Sequence, residues 1–307
     1  MLDVRRLRIL EAFAREGTVA EAAKALSYTP SAVSQHLAQL ERDAGVPLFR
    51  REGRRLRLTD AAQMLVGHAA EVLALLERAE AELAAHAGAV VGTVRVAAFQ
   101  LATQRLVLPA LAAVRETSPA LRVETVGTEA EASLPLLRAG RIDLVVAEEY
   151  AHAPRPPHPQ IDRIALPPDD MVLVLPAGHP AARTGDAVPL ASLRHEPWAT
   201  AEEGTAYADM FVRLCRSVGG FEPDVRFRNN DFAVLLGLAA EGQATVVLPA
   251  LGHPGRDPRV AVRALAEGHF PRRIFLAVRA TDRRRPALAA VIDALCRVAC
   301  EEAGAPV

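Results

Sequence analysis

The stretch TPSAVSQHLAQLE, residues 29–41, carries hydroxyl and amide side chains where most solvated helix faces carry charge. Val33, Leu37 and Leu40 recur at helical spacing and form an apolar side, with Ala32 beside them. Ser31, Ser34, Gln35 and Gln39 form the other side, uncharged until Glu41. These residue types offer hydrogen bonds rather than acid–base or nucleophilic chemistry. Gln pairs bidentately with adenine, Ser pairs with several bases, and the ring of Pro30 can touch a thymine methyl. Just downstream, GVPLFRREGRRLRLT places arginines among Phe49, Leu56 and Leu58. Arginines so placed suit phosphate oxygens, which set register and not sequence preference.

Reading base edges requires a helix held end-on, and the preceding residues supply the means. Val4, Leu7, Ile9, Leu10, Ala12 and Phe13 predict a first helix ending at Gly17. Thr18 and Glu21 form a capping box that opens a short second helix to about Leu26. Thr29 is placed as the N-cap of the third helix, with Pro30 as its first residue. Two short helices joined by the turn SYT make a helix-turn-helix, and the alternation of arginines with apolar residues around Gly53 predicts a β-hairpin wing. Thr59 caps a long helix over about 60–86, where Leu65, Ala69, Val72, Leu76, Ala79 and Leu83 follow steps of four and three. This heptad seam fits either its own domain or a partner helix, and its length favours a dimerisation linker.

The charge is divided accordingly. Residues 1–59 hold eleven basic and seven acidic side chains, a surplus of four in a chain whose net charge is −1. A basic N-terminal segment on an acidic body suits a nucleic-acid partner. No run of eighteen apolar residues predicts a membrane span, and the start of the chain lacks the apolar core of a secretory signal. Three cysteines without metal-type spacing fit a reducing cytoplasm, so a cytoplasmic location is expected.

From residue 92 the texture becomes alternating strand and helix. TVRVAAF, LRVETVG and IDLVVA predict strands, separated by helices over 103–119 and 131–140, an order that implies a parallel open sheet. After the Pro-rich loop HAPRPPHPQ, a second set repeats the plan through DVRFR, FAVLLGLAAEG and ATVVLPAL. Two such lobes bind small molecules in the cleft between them. The loops beyond the strand ends are 99–103, 127–131, 200–206 and 248–250. Helix N-termini there favour a carboxylate or phosphate, so an anionic small molecule is expected, with Thr103, Thr128 and Thr205 as hydroxyl donors. Each threonine could equally cap its own helix.

The run FAREGTVAEAAKALSYTPSAVSQHLAQLERDAGVPLFRREGRRLRLTDAA, residues 13–62, resembles the winged helix-turn-helix signature of the LysR-type transcriptional regulators. The resemblance continues through the long helix, the first lobe and LPAGHP at 175–180. It implies a fold that is α/β with an N-terminal all-α winged helix-turn-helix and a two-lobed, periplasmic-binding-protein-like effector domain. It further implies a DNA-binding domain at 1–59, a linker and dimerisation helix at 60–90, and an effector domain at 91–307, with lobes of 91–163 plus 268–307 and of 164–267. Carried onto matching positions, base contacts fall on Pro30, Ser31, Ser34 and Gln35, and backbone contacts on Thr29, Arg50, Arg51 and Arg55. Dimerisation falls on Leu65, Ala69, Val72, Leu76 and Leu83, and effector binding on Phe99, Gln100, Thr103, Thr128 and Thr205. The family often has Gly where Ala62 stands, and small polar residues where Phe99 and Gln100 stand, so a smaller or more apolar cavity is expected. The implied partners are double-stranded DNA at an interrupted inverted repeat, a small co-inducer, further copies of the chain as a dimer or dimer of dimers, and RNA polymerase at the promoter.

The competing class is a metabolite-binding or enzymatic two-lobed protein with an accessory helix-turn-helix. A hydrolase would need a G-x-S-x-G elbow or a Gly-rich phosphate loop after a strand, and neither occurs. No catalytic residue, metal or cofactor is expected. Cys296 and Cys300 stand one helical turn apart, an awkward geometry for a disulfide, and Cys215 lacks a partner in its lobe.

Overall fold

The computed structural model describes residues 1–52, 55–86, 90–151, 153–183 and 187–304. The chain divides into two compact units, 1–92 with 135–142, and 93–134 with 143–307.

In the first unit, α1 (Val4–Glu16) starts at Asp3, whose carboxylate accepts from the Arg6 amide, and stops at Gly17 in the left-handed conformation. Thr18 accepts from the Glu21 amide and opens α2 (Val19–Ala25). Thr29 accepts from the Ala32 amide and opens α3 (Pro30–Ala44), which ends at left-handed Gly45. The chain reverses between α2 and α3 at Ser27, a non-glycine residue with φ of 56°. A two-stranded antiparallel wing follows, β1 (Phe49–Glu52) and β2 (Arg55–Leu58), with Phe49 opposite Leu58 and Arg50 opposite Arg57. Val33, Leu37 and Leu40 from α3 are fully buried with Leu10 and Phe13 of α1, while Phe49, Leu56 and Leu58 pack against this core.

α4 (Asp60–His86) begins after Thr59, which accepts from the Ala62 amide. Its apolar seam meets two environments within the chain. Ala69 is fully buried in the winged-helix core, and Leu65 packs against it. Val72, Leu76 and Leu83 are exposed, Leu83 by 74%. The first turns of the helix therefore pack on the winged-helix core.

The second unit is built on a mixed sheet and a separate parallel pair of strands. Its first lobe holds β3 (Gly92–Ala98), then α5 (Gln100–Ala102), a π-turn at 103–107 and α6 (Leu108–Thr117). β4 (Leu121–Gly127), α7 (Ala130–Arg138), β5 (Leu144–Tyr150) and β6 (Ile161–Ala165) complete the outgoing chain. The second lobe holds β7 (Asp169–Pro176), β8 (Pro197–Thr200), α8 (Ala206–Arg213), β9 (Asp224–Arg228), α9 (Phe232–Ala240), β10 (Val246–Pro249) and β11 (Val260–Arg263). β12 (Pro271–Arg279) returns to the first lobe, where α10 (Pro286–Ala303) follows.

β3 and β5 pair in parallel, as the βαβ order predicts. The sheet as a whole is not parallel: β12 lies antiparallel to both β5 and β6, and β7 antiparallel to β10 and β11. The second lobe repeats the βαβ unit as the parallel pair β8 and β9 around α8. β6 runs to Ala165 on the edge of β12, so the first crossing between lobes comes after 165 and not at 163. β12 also pairs at its start with β7, setting Arg272 opposite Asp169. The floor between the lobes is therefore continuous backbone pairing. Buried Asp143 ties the first lobe together, accepting from the Arg95 amide at 2.8 Å and from Arg279 and Arg285 at 3.2 and 3.1 Å.

Candidate functional sites

The start of α3 presents Pro30, Ser31, Ser34 and Gln35 to solvent, opposite Val33 and Leu37. Among the described residues, no hydrogen bond is made by the side chains of Ser31, Ser34 or Gln35. Gln39 differs: its amide donates to Asp43 at 2.8 Å and its oxygen accepts from Arg42, so it belongs to a network on the helix flank. Thr29 spends a lone pair on the helix cap but keeps its O–H for a donor role.

Glu41, the charge that ends the polar face, does not face outward. One carboxylate oxygen accepts from the amides of Leu48 at 2.7 Å and Phe49 at 3.0 Å, fixing the entry to the wing against α3. Thr59 closes the other strand by donating to the carbonyl of Pro47 at 2.9 Å. Phe49 meets Phe13 edge-on with ring centroids 5.8 Å apart. Arg50 and Arg51 are exposed at the wing, and Arg50 and Arg57 share Glu52 at 3.4 and 3.5 Å. Such exposed pairs are weak and exchange readily for phosphate. Arg55 stands opposite Glu52 in the ladder, and its side chain lies outside the described residues, as do Gly53 and Arg54.

In the second unit a cavity of about 290 Å³ opens between the lobes. Phe99, Gln100 and Thr205 line it together with Phe232, Tyr207, Tyr150 and Asn230. Thr103 and Thr128 are not among its lining residues. The Thr103 hydroxyl donates back to the carbonyl of Phe99 at 3.1 Å, so its own helix uses it. Thr205 lines the cleft while capping α8, accepting from the Ala208 amide and donating to the carbonyl of Glu202. The Gln100 amide beside Asp231 of the other lobe is the foremost cause of that carboxyl's lowered pKa.

The charged lining was not legible in the sequence. Arg272, almost wholly buried, donates through Nε to Asp169 at 2.8 Å and through Nη1 to Glu148, and its guanidinium lies 5.2 Å from the Phe99 ring centroid. Burial opposes its charge, but Glu148 and Asp169 outweigh that and hold its pKa above the usual value. Glu148 also accepts from the Tyr150 hydroxyl at 3.1 Å. Arg155 donates to Glu131 at 2.7 Å and to the carbonyl of Glu148 at 3.0 Å. The hydroxyl of Tyr207 donates to the carbonyl of Val247, and burial, with Glu148 adding and Arg272 partly offsetting, holds its pKa above the usual value. Phe232 fits because Gly252 stands behind it: a Cβ there would collide with the ring.

Cys215 is buried in the core of the second lobe, and burial, with Glu222 adding, pushes its thiol up to about 12. Among the described residues no group of three or more metal-ligating side chains occurs, and no helix is long and apolar enough to cross a membrane. His152 lies outside the described residues.

Comparison with known proteins gives two family matches. Residues 4–63 match the bacterial regulatory helix-turn-helix protein, lysR family, and residues 87–299 match the LysR substrate binding domain. A probable HTH-type transcriptional regulator, LrrA of Synechococcus elongatus, is 26% identical over 98% of each chain. A probable hydrogen peroxide-inducible genes activator of Mycobacterium avium is 28% identical, over 91% of this chain and 88% of its own. Among solved structures, full-length CbnR complexed with its target DNA is 25% identical and superposes with a TM-score of 0.68, over 97% of this chain and 100% of its own. A full-length OxyR variant of Pseudomonas aeruginosa, 20% identical, superposes with a TM-score of 0.75 over 97% and 96% of the two chains.

Proposed function

Because the chain belongs to the LysR family, and is thus a DNA-binding transcriptional regulator and not an enzyme, we propose that the exposed start of α3 reads its operator. The carrying observation is a solvent-facing set of unpaired hydrogen-bonding groups at that helix end, beside an arginine-bearing wing. Ser31, Ser34, Gln35 and Pro30 contact base edges in the major groove, while Thr29, Arg50, Arg51 and Arg55 hold phosphates. The solved CbnR complex, which contains that protein's target DNA, supports a DNA-binding role for this chain. The domain layout proposed with it is a winged unit at 1–59, a linker helix at 60–90 and an effector unit at 91–307.

Two copies pair through the exposed part of α4, where Val72, Leu76, Ala79 and Leu83 form an apolar stripe with heptad steps. Leu65 and Ala69 act from beneath it, since they belong to the winged-helix core. The resulting dimer, or dimer of dimers, matches an interrupted inverted repeat because each two-fold pair presents two α3 helices. A small co-inducer occupies the cleft, favours one angle between the lobes and so changes the spacing of the winged units at the promoter, where RNA polymerase is met.

The test is binding to duplexes selected by the full chain from random sequence. Gln35→Ala and Ser34→Ala should each lower discrimination between preferred and mismatched bases by about 1–3 kcal/mol. Arg51→Ala should weaken all sequences alike and reduce the salt slope by about 0.9. Unchanged base preference in both α3 variants would remove the basis of the proposal.

A further inference from the structure

The cleft's charge balance runs against the anion that its loops suggest. Three carboxylates, Glu129, Glu131 and Glu148, line it against two guanidiniums, Arg155 and Arg272. Both guanidiniums are ion-paired with carboxylates. Arg272 donates through Nε to Asp169 at 2.8 Å and through Nη1 to Glu148, while Nη2 lies 2.7 Å from Asp169 as an ion pair without an aligned hydrogen bond. Arg155 has Nη2 on Glu131 and Nε on the carbonyl of Glu148. Glu148 and Glu131 are thereby paired, whereas the carboxylate of Glu129 makes no hydrogen bond or ion pair among the described residues.

Two of the helix ends at the cleft, those of α8 and α9, carry side-chain caps, whereas that of α5 does not. The first turn of α9 is capped by Asp231, whose carboxylate accepts from the Ala233 amide at 2.7 Å and adds negative charge at that end. The first turn of α8 is capped by Thr205. An entering carboxylate would find both guanidiniums already paired with carboxylates and would lie near unpaired Glu129. An entering ammonium would supply the missing partner, with the Phe232 and Tyr207 rings available for the rest of the molecule.

Resting on the reading of this cleft as the effector site, we propose that it takes a small organic cation. A protonated amine sits at Glu129, and an apolar or aromatic body lies against Phe232 and Tyr207. The volume of about 290 Å³ corresponds to roughly ten waters at about 30 Å³ each, enough for an arylalkyl amine. Glu129 is an exposed residue whose carboxyl is partly desolvated, which raises its pKa; Glu148 and Glu131 raise it further, and Arg272 and Arg155 only partly offset them. A bound cation relieves that penalty, so amine affinity rises with pH as Glu129 ionises.

The experiment titrates the full chain with three isosteric probes, phenethylamine, 2-phenylethanol and phenylacetate, by calorimetry. Wild type, Glu129→Gln, Glu129→Asp and Phe232→Ala are compared, each first shown to fold by circular dichroism. The amine should bind at least about tenfold tighter than the other two. Glu129→Gln should abolish that preference, Glu129→Asp should restore part of it, and Phe232→Ala should weaken the amine. Phenylacetate bound as tightly as the amine, or no amine binding, overturns the cation. If phenylacetate is the preferred probe and Phe232→Ala weakens it, the cleft remains the effector site and only the ligand class fails. Amine binding untouched by both Glu129→Gln and Phe232→Ala places the probe elsewhere and overturns the cleft reading itself.

Discussion

Replacing Glu41 by alanine tests whether the wing is held by α3. One oxygen of this carboxylate accepts two backbone amides, Leu48 at 2.7 Å and Phe49 at 3.0 Å, and Leu48 is buried. Hydrogen bonds to a charged group contribute about 1.5–3 kcal/mol each, less where water can replace the acceptor, as at half-buried Glu41. Removing the shared acceptor should cost about 2–4 kcal/mol in total. The loss is local, so hydrogen exchange followed by mass spectrometry over residues 46–58 should show faster exchange at Leu48 and Phe49, with α1 and α2 little changed. Glu41→Gln keeps a neutral acceptor and should fall between wild type and Glu41→Ala. A loosened wing also presents Arg50, Arg51 and Arg57 poorly. If each holds one phosphate, the salt slope of DNA binding should fall by up to roughly 2–3. Wild-type exchange over 46–58 in Glu41→Ala would refute the argument. So would a weakened affinity with an unaltered salt slope, because the wing would then be positioned by Phe49 packing alone.

Three further outcomes follow from packing and electrostatics. Leu37→Ala, at a position 1% exposed in the winged-helix core, should destabilise the first unit by about 2–5 kcal/mol in urea titration followed by circular dichroism, whereas Ser34→Ala should be nearly neutral. The folded-state pKa of Glu129 is raised, so its contribution to stability is present below the unfolded value of about 4.3 and is lost as pH rises through the folded one. Glu129→Gln should accordingly match wild type in Tm at acid pH and exceed it at neutral pH, and a lower Tm at neutral pH would contradict the unpaired carboxylate. A thiol reagent at neutral pH should label exposed Cys300 quickly and Cys215 only after unfolding, since burial holds that thiol's pKa at about 12, as peptide mapping would reveal.

Features set by near neighbours along the chain are legible in residue order alone. Thr18, Thr29, Gly17 and Gly45 bound α1–α3 through contacts no more than four residues away, and the spacing of Val33, Leu37 and Leu40 settles which side of α3 is buried and which remains for a ligand. Strand β4 at 121–127 and β9 at 224–228 likewise follow their own patterns of residues. The residues legible only after folding depend on partners far along the chain. Arg272 meets Asp169 across 103 residues and Glu148 across 124, and no periodicity in any of the three segments encodes that meeting. The same holds for α4, where one apolar repeat divides between a core closed by α1 and a surface left open, because the repeat specifies a stripe and not what covers it. Residue order along the chain thus determined a helix able to read DNA and a pair of α/β lobes. Which charges in the cleft are cancelled, and that Glu129 is not, was decided by tertiary structure, since cancellation requires two groups within a few ångströms and only the fold sets that distance.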